Sequence, residues 1–136
     1  MIVIKIKGGL GNQMFQYAIA KAFSLETKRK FKLDISIFEW YKLHNYGLHH
    51  FNIRPEFYTP ESKWKMKLKK LFNKVVFYNE DFHAFHHNPD LIHTKSDFLF
   101  LEGYFQSQKY FIKYEKEIRN DFQIITPLKK QTSDMV

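Results

Sequence analysis

Near the amino end, the run IKIKGGLGNQMFQYAIA (residues 4–20) joins three patterns that few folds accommodate in succession. Ile2, Ile4 and Ile6 alternate with Val3, Lys5 and Lys7, the two-residue period of a strand. Gly8, Gly9 and Gly11 follow, and then Phe15, Ala18, Ile19, Ala22 and Leu25 recur at helical spacing. Asn12 is placed to cap that helix, and Lys28, Arg29 and Lys30 to face the negative end of its dipole. Phe31, Leu33 and Ile35 alternate with Lys32 and Asp34, which predicts a second strand. Strand, glycine turn, helix and strand make a βαβ crossover, so the two strands are expected to be parallel. The fold class that follows is α/β: a Rossmann-like parallel sheet with flanking helices.

The remainder is consistent with one core. Residues 37–58 are aromatic and histidine-rich without a clear period and predict a loop with short helical turns. Thr59 and Pro60 read as N-cap and first residue of a helix whose apolar face is Trp64, Leu68, Leu71, Phe72 and Val75. A short strand over residues 75–78, a turn at Asn88-Pro89-Asp90 and a strand from Phe98 to Glu102 ending at Gly103 come next. A helical stretch from Ser107 to about Phe122 carries Tyr110, Phe111, Tyr114 and Ile118 on one side. A chain of 136 residues with 44% apolar content supports a single core, and residues 1–136 are read as one domain. It has no cysteine, which points to a reducing compartment, the cytoplasm. No apolar run has the length of a signal peptide core or a membrane span.

The net charge of +8 suits anionic partners. Nineteen of the 22 basic residues are lysine, so phosphate is not gripped by an arginine cluster. The glycine turn offers free backbone N–H groups and a helix N-terminus, which suit phosphate or carboxylate; the alternative is that the glycines serve only a tight turn. As a dinucleotide fingerprint the turn is imperfect: Gly9 and Gly11 are present, Met14 stands where a third glycine belongs, and Asp34 sits where a ribose-binding acid would. The stretch KWKMKLKKLFNK (residues 63–74) sets six lysines against a Trp/Leu/Phe stripe. The expectation is that the stripe packs on the core and the lysines face water, with contact to an anionic membrane surface as the alternative. No nucleic-acid recognition motif accompanies it. His83, His87 and Asp90 could be imagined around a metal, yet Pro89 interrupts any helix that would hold their spacing, and they are read, like His49 and His50, as solvated loop residues. In EGYFQSQKYF (residues 102–111), Tyr104 and Gln106 fall after a strand at the same sheet edge as the glycine turn, and aromatic and amide groups suit sugar rings and hydroxyls. The alternative makes Tyr104 and Phe105 core residues and Ser107 an N-cap.

Three separated stretches, KGGLGNQMFQYA, LDIS with NYGLHHFNI (residues 45–53), and LEGYFQSQKYF before EIRNDF, together resemble the N-terminal half of the α-1,2-fucosyltransferases of glycosyltransferase family 11. The resemblance implies transfer of L-fucose from GDP-fucose to the 2-hydroxyl of a terminal galactoside, with inversion, no obligatory metal and no cofactor beyond the donor. It implies the N-terminal half of a two-Rossmann GT-B arrangement. Matched residue by residue, Gly8, Gly9, Leu10, Gly11, Asn12 and Gln13 would form a substrate-binding turn, joined by Tyr104 and Gln106. Asp34, Glu102 and the histidines are chemically capable of general-base work, and none is singled out. The departure is at the other end. The family's His-x-Arg-Arg-Gly-Asp-Tyr donor signature is absent, and with it the arginine expected at the departing diphosphate. Family members are about twice this length, and residues 127–136 read as the beginning of a further element with Thr132 or Ser133 placed as its N-cap, the alternative being a frayed tail. The expectation is an acceptor-side N-terminal portion with little or no transfer activity alone and with an apolar face left exposed.

Overall fold

The computed structural model describes residues 1–80 and 87–127. In chain order the elements are β1 (Ile2–Lys5), α1 (Leu10–Thr27), β2 (Phe31–Asp34), α2 (Lys63–Phe72), β3 (Val75–Asn79), β4 (Phe98–Glu102) and α3 (Glu115–Asp121), with short 3-10 turns between them. The four strands form one parallel sheet in the order β2-β1-β4-β3. Ile4 is the centre of the register, opposite Leu33 on one side and Leu101 on the other. The expected α/β arrangement of a Rossmann-like sheet with flanking helices is present.

The core sits between the sheet and α1. Ile2, Ile4, Ile6, Leu33, Leu99 and Leu101 are buried on that side and meet Tyr17, Ile19, Ala20 and Phe23 of the helix. The helix has a second buried flank, where Ala18 and Ala22 pack on Ile118 of α3. Two partners, one on each side, explain why the buried set is wider than the single stripe of the sequence pattern: Tyr17, Ala20 and Phe23 are core, while Leu25 is exposed. The Tyr17 hydroxyl donates to Asp121 Oδ2 at 2.6 Å, and Lys21 reaches the same carboxylate at 3.4 Å, fastening α1 to α3.

Both ends of α1 differ from the expectation. The helix begins at Leu10 with Gly9 as N-cap, so Asn12 lies inside the first turn and makes no cap bond. At the other end Lys28 adopts the left-handed conformation that stops the helix, and no basic residue occupies the last turn. Arg29 turns away, donating to the Ser96 carbonyl at 2.9 Å and the Met1 carbonyl at 3.4 Å at the amino ends of the strands. Two fixed carbonyls in a half-buried place hold a guanidinium better than a solvated helix end does.

The opposite face of the sheet is covered differently. Residues 56–58 run beside β2: Leu33 donates its N–H to Glu56 O, and Tyr58 N–H donates to Leu33 O. The chain is still paired with β2 at Tyr58, and α2 starts at Lys63 behind an extended Ser62, later than Thr59-Pro60 suggested. The larger correction concerns its orientation. No residue of α2 is buried, and Trp64, Leu68, Leu71 and Phe72 are exposed. The expected packing of that stripe on the core does not occur.

Candidate active site

The strand order places β1 and β4 side by side at the centre, with the chain running outward from β1 to β2 and inward from β3 to β4. Loops leaving the carboxyl ends of such a central pair flank the crevice where open α/β sheets bind ligands. Here those loops are the glycine turn after β1 and residues 103–107 after β4.

Two buried glutamines of α1 hold the loops together. Gln16 Oε1 accepts the Lys7 N–H at 2.9 Å, and its Nε2 donates to Gly103 O at 3.1 Å, tying the ends of both central strands. Gln13 Nε2 donates to Gly8 O and Asn45 O, both at 2.9 Å, and its Oε1 accepts the Gly47 N–H at 2.9 Å. Both side chains are fully buried. Buried amides need such partners, and three residues apart they lie on one helix face pointing at the strand ends.

Above these clamps lies a cavity of about 240 Å³, lined by Lys7, Gly8, Asn12 and Tyr104 on one side and by Ile37, Phe38, Tyr41, Leu43 and His44 on the other. Pockets for drug-sized ligands run roughly 300–1,000 Å³, so this one suits about a single sugar ring. Gly8 has φ of +81°, and a Cβ there would come 3.0 Å from Asn12 Nδ2 and 3.3 Å from the Tyr104 ring. Its backbone form and the nearness of Tyr104 both require glycine. Asn12 Oδ1 accepts from Gln106 Nε2 at 2.8 Å, bridging the two loops across the mouth. Lys7 Nζ lies 5.4 Å from the centre of the Tyr104 ring and 3.4 Å from Glu102 Oε1, a carboxylate it shares with Lys5 at 3.5 Å. The first turn of α1 holds no acidic residue, so its N–H groups and Lys7 make this edge favourable to an anion.

The sequence-predicted residues therefore fall into distinct places. Gly8, Asn12 and Tyr104 line the cavity, and Gln106 reaches it through Asn12. Gly9 lies beside it, its missing Cβ 3.8 Å from His44 Cε1. Nothing stands within 4 Å of a Cβ at Gly11. Leu10 is 41% exposed and leans over Gly47, where a Cβ would come within 2.9 Å of Leu10 Cδ1. Gln13 supports the turn from behind, its amide consumed by backbone groups. Phe105 is buried core, with φ of +50°. Met14 packs against the core where a third glycine would have let helix and strand close up. Asp34 Oδ1 accepts the Ser36 N–H at 3.0 Å and its hydroxyl at 2.6 Å.

The wall formed by Ile37, Phe38, Tyr41, Leu43 and His44 was not legible as a site. Its only signal is aromatic density without a period, in a stretch of 3-10 turn and coil. Among the described residues no group of three or more His, Asp or Glu could hold a metal ion. His87 packs edge-on against Tyr110, and His83 lies outside the described residues. No helix among the described residues is long and apolar enough to cross a membrane.

The chain is 26% identical, over 148 residues, to an alpha-1,2-colitosyltransferase of Escherichia coli. It is similar to a glycosyltransferase. The alignment covers all of this chain and 50% of that protein, so the chain spans about half the length of the curated relative it matches. No protein-family model matches the chain, and no solved structure matches it.

Proposed function

We propose that the chain is the acceptor-side portion of a glycosyltransferase that moves L-fucose, or a close deoxy relative, from its GDP-linked donor to the 2-hydroxyl of a terminal galactoside. The observation that carries this reading is the similarity along the whole chain to an alpha-1,2-colitosyltransferase, with the glycine turn built into a cavity at the central strand ends. Colitose is L-fucose lacking one ring hydroxyl, and the same α-1,2 linkage stands in the relative's name and in the family that the sequence resembles. A cavity of about 240 Å³ with an aromatic wall, amide groups and one lysine suits a galactose ring more than a whole nucleotide sugar.

In the transfer, the acceptor hydroxyl oxygen bonds to the anomeric carbon and gives up its proton to a base, as the bond from that carbon to the diphosphate breaks and the diphosphate leaves with the electron pair. Negative charge grows on the diphosphate and calls for fixed donors and cations. Lys7 and the open N–H groups of α1 are the candidates at this edge. Arg29 is committed to carbonyls at the amino ends of the strands, and Arg119 pairs with Glu115. On this reading the chain binds an acceptor and does not complete the reaction alone.

Two-dimensional NMR of the labelled chain, titrated separately with lactose and with GDP-fucose, tests it. Lactose should shift the amide signals of Gly8, Asn12, His44 and Tyr104. Absence of change with either compound at millimolar concentration would overturn the assignment. Fucosylated lactose formed by this chain alone would instead overturn its incompleteness.

A further inference from the structure

Helix α2 lies against the sheet with the wrong side for an ordinary surface helix. Met66 and Asn73 are half-buried, Lys69 Nζ stands 4.2 Å from the centre of the Phe98 ring and 5.7 Å from that of Tyr58, and Lys70 Nζ stands 4.9 Å from that of Phe77. The sheet face offers rings, with Phe77 stacked on Phe100 at 4.8 Å and Phe98 on Phe100 at 6.5 Å. Lysine satisfies such a surface by laying its methylene stem along it and setting the ammonium over a ring. Lys69 is further fixed by Glu61 Oε1 at 2.7 Å. With residues 66, 69 and 73 turned inward, helical spacing turns Trp64, Leu68, Leu71 and Phe72 outward. Their exposures are 61%, 45%, 74% and 79%.

We propose that this outward stripe, rimmed by lysines, seats the protein on an anionic phospholipid surface. Helical spacing sets Lys63 and Lys67 on one flank of the stripe and Lys65 on the other, and the helix contains no acidic residue. A helix with large apolar side chains on one face and lysine along its margins lies in the plane of a membrane interface, the apolar groups among acyl chains and the ammonium groups at the phosphates. Other occupants fit less well. A second copy apposed stripe to stripe would bring the two lysine rims together. A nucleic-acid backbone would leave four large apolar side chains in water. The proposal is independent of the sugar-transfer reading.

Sedimentation of the full chain with vesicles tests it, comparing phosphatidylcholine alone with a mixture containing about one-third phosphatidylglycerol. Binding to the mixture should be at least about tenfold tighter and should weaken as salt is raised. Trp64 fluorescence should shift to the blue on binding and be quenched by brominated lipid, and Trp64→Phe should abolish that component. Leu71→Asp with Phe72→Asp should lower binding by more than about tenfold, and each of Lys63→Glu and Lys67→Glu by about fivefold or more. All four positions are exposed, so thermal melts should confirm the fold. The proposal is overturned by absence of binding at low salt, by equal binding to both vesicle types, or by binding indifferent to the Leu71 and Phe72 changes. It is equally overturned if Trp64 in the unaltered chain is not quenched, or if duplex DNA or a second copy binds the stripe more tightly than the vesicles do.

Discussion

Gln16 shows how one side chain sets the geometry of the crevice. Its amide satisfies an N–H at the end of β1 and a C=O just after β4, and both backbone groups would be unpaired without it. A buried group left unsatisfied costs about 1–3 kcal/mol, so Gln16→Leu should destabilise the chain by roughly 2–4 kcal/mol in urea unfolding. The glycines divide by the same kind of reasoning. Gly8→Ala meets Asn12 and Tyr104 and occupies a conformation with φ of +81°, so it should cost about 1–2 kcal/mol or more. Gly11 lies inside α1, and a Cβ there touches nothing within 4 Å. Gly11→Ala should therefore stabilise the fold by about 0.4–1 kcal/mol. If the turn approaches a sugar, the same variant should weaken lactose binding in the NMR titration. Gain of stability with loss of binding would mark Gly11 as kept for the ligand, and unchanged binding would remove it from the site.

At the scale of elements, the sequence was most legible where one pattern had one cause. The β1–α1–β2 crossover, β3 and β4 follow from period and punctuation, because a strand with one face on the core and a helix on a sheet leave the expected alternations, whereas the loop over residues 37–58 showed itself only by lacking a period. The exact helix starts were not legible, since strand-like pairing of residues 56–58 with β2 overrode the Thr59-Pro60 signal. Nor was the direction of α2: amphipathicity states that a helix has two faces, and only the aromatic surface of β3 and β4 decides which one turns inward. That inversion predicts the response to mutation. A buried leucine truncated to alanine costs about 2–5 kcal/mol, whereas Leu68→Ala and Leu71→Ala should change stability by less than about 0.5 kcal/mol. Amide hydrogen exchange should rank the helices in the same way, with α1, buried on two flanks, protected close to the global limit and α2 exchanging much sooner. Similar protection of the two helices would contradict the exposed stripe. The lining of the candidate cavity was legible only in part for a related reason. Gly8, Asn12 and Tyr104 come from loops anchored to predicted strands, while Tyr41 and His44 come from a segment whose position depends on Gln13 holding Asn45 and Gly47.

Across the whole molecule, four tyrosines tie separate elements into one cooperative unit, and their ionisation sets its alkaline limit. Burial raises the phenol of Tyr17 above its ordinary value, and the neighbouring Asp121 carboxylate raises it further. Burial likewise raises Tyr46, Tyr58 and Tyr110. Tyr17 joins α1 to α3, Tyr46 packs on Phe38 and Phe57 in the loop beside β2, Tyr58 meets Phe100 of β4, and Tyr110 packs on Phe23 of α1. In the unfolded chain these phenols lose their protons near pH 10. In the folded chain they keep them to higher pH, so above that point the folded state binds more protons and stability falls as pH rises. Their contribution is fully present below about pH 10 and is lost on passing through the raised folded values, with a slope approaching ~1.4 kcal/mol per pH unit for each group while it lasts. The urea midpoint should fall steeply above about pH 10. Deprotonation of lysine relieves the repulsion of a net charge of +8 over the same range, so the tyrosine contribution is isolated by substitution. Tyr17→Phe, which keeps the ring and removes the titrating group, should give a shallower decline above pH 10 despite a lower starting stability from the lost bond to Asp121. An unchanged alkaline slope in that variant would show that α1 and α3 part before Tyr17 ionises.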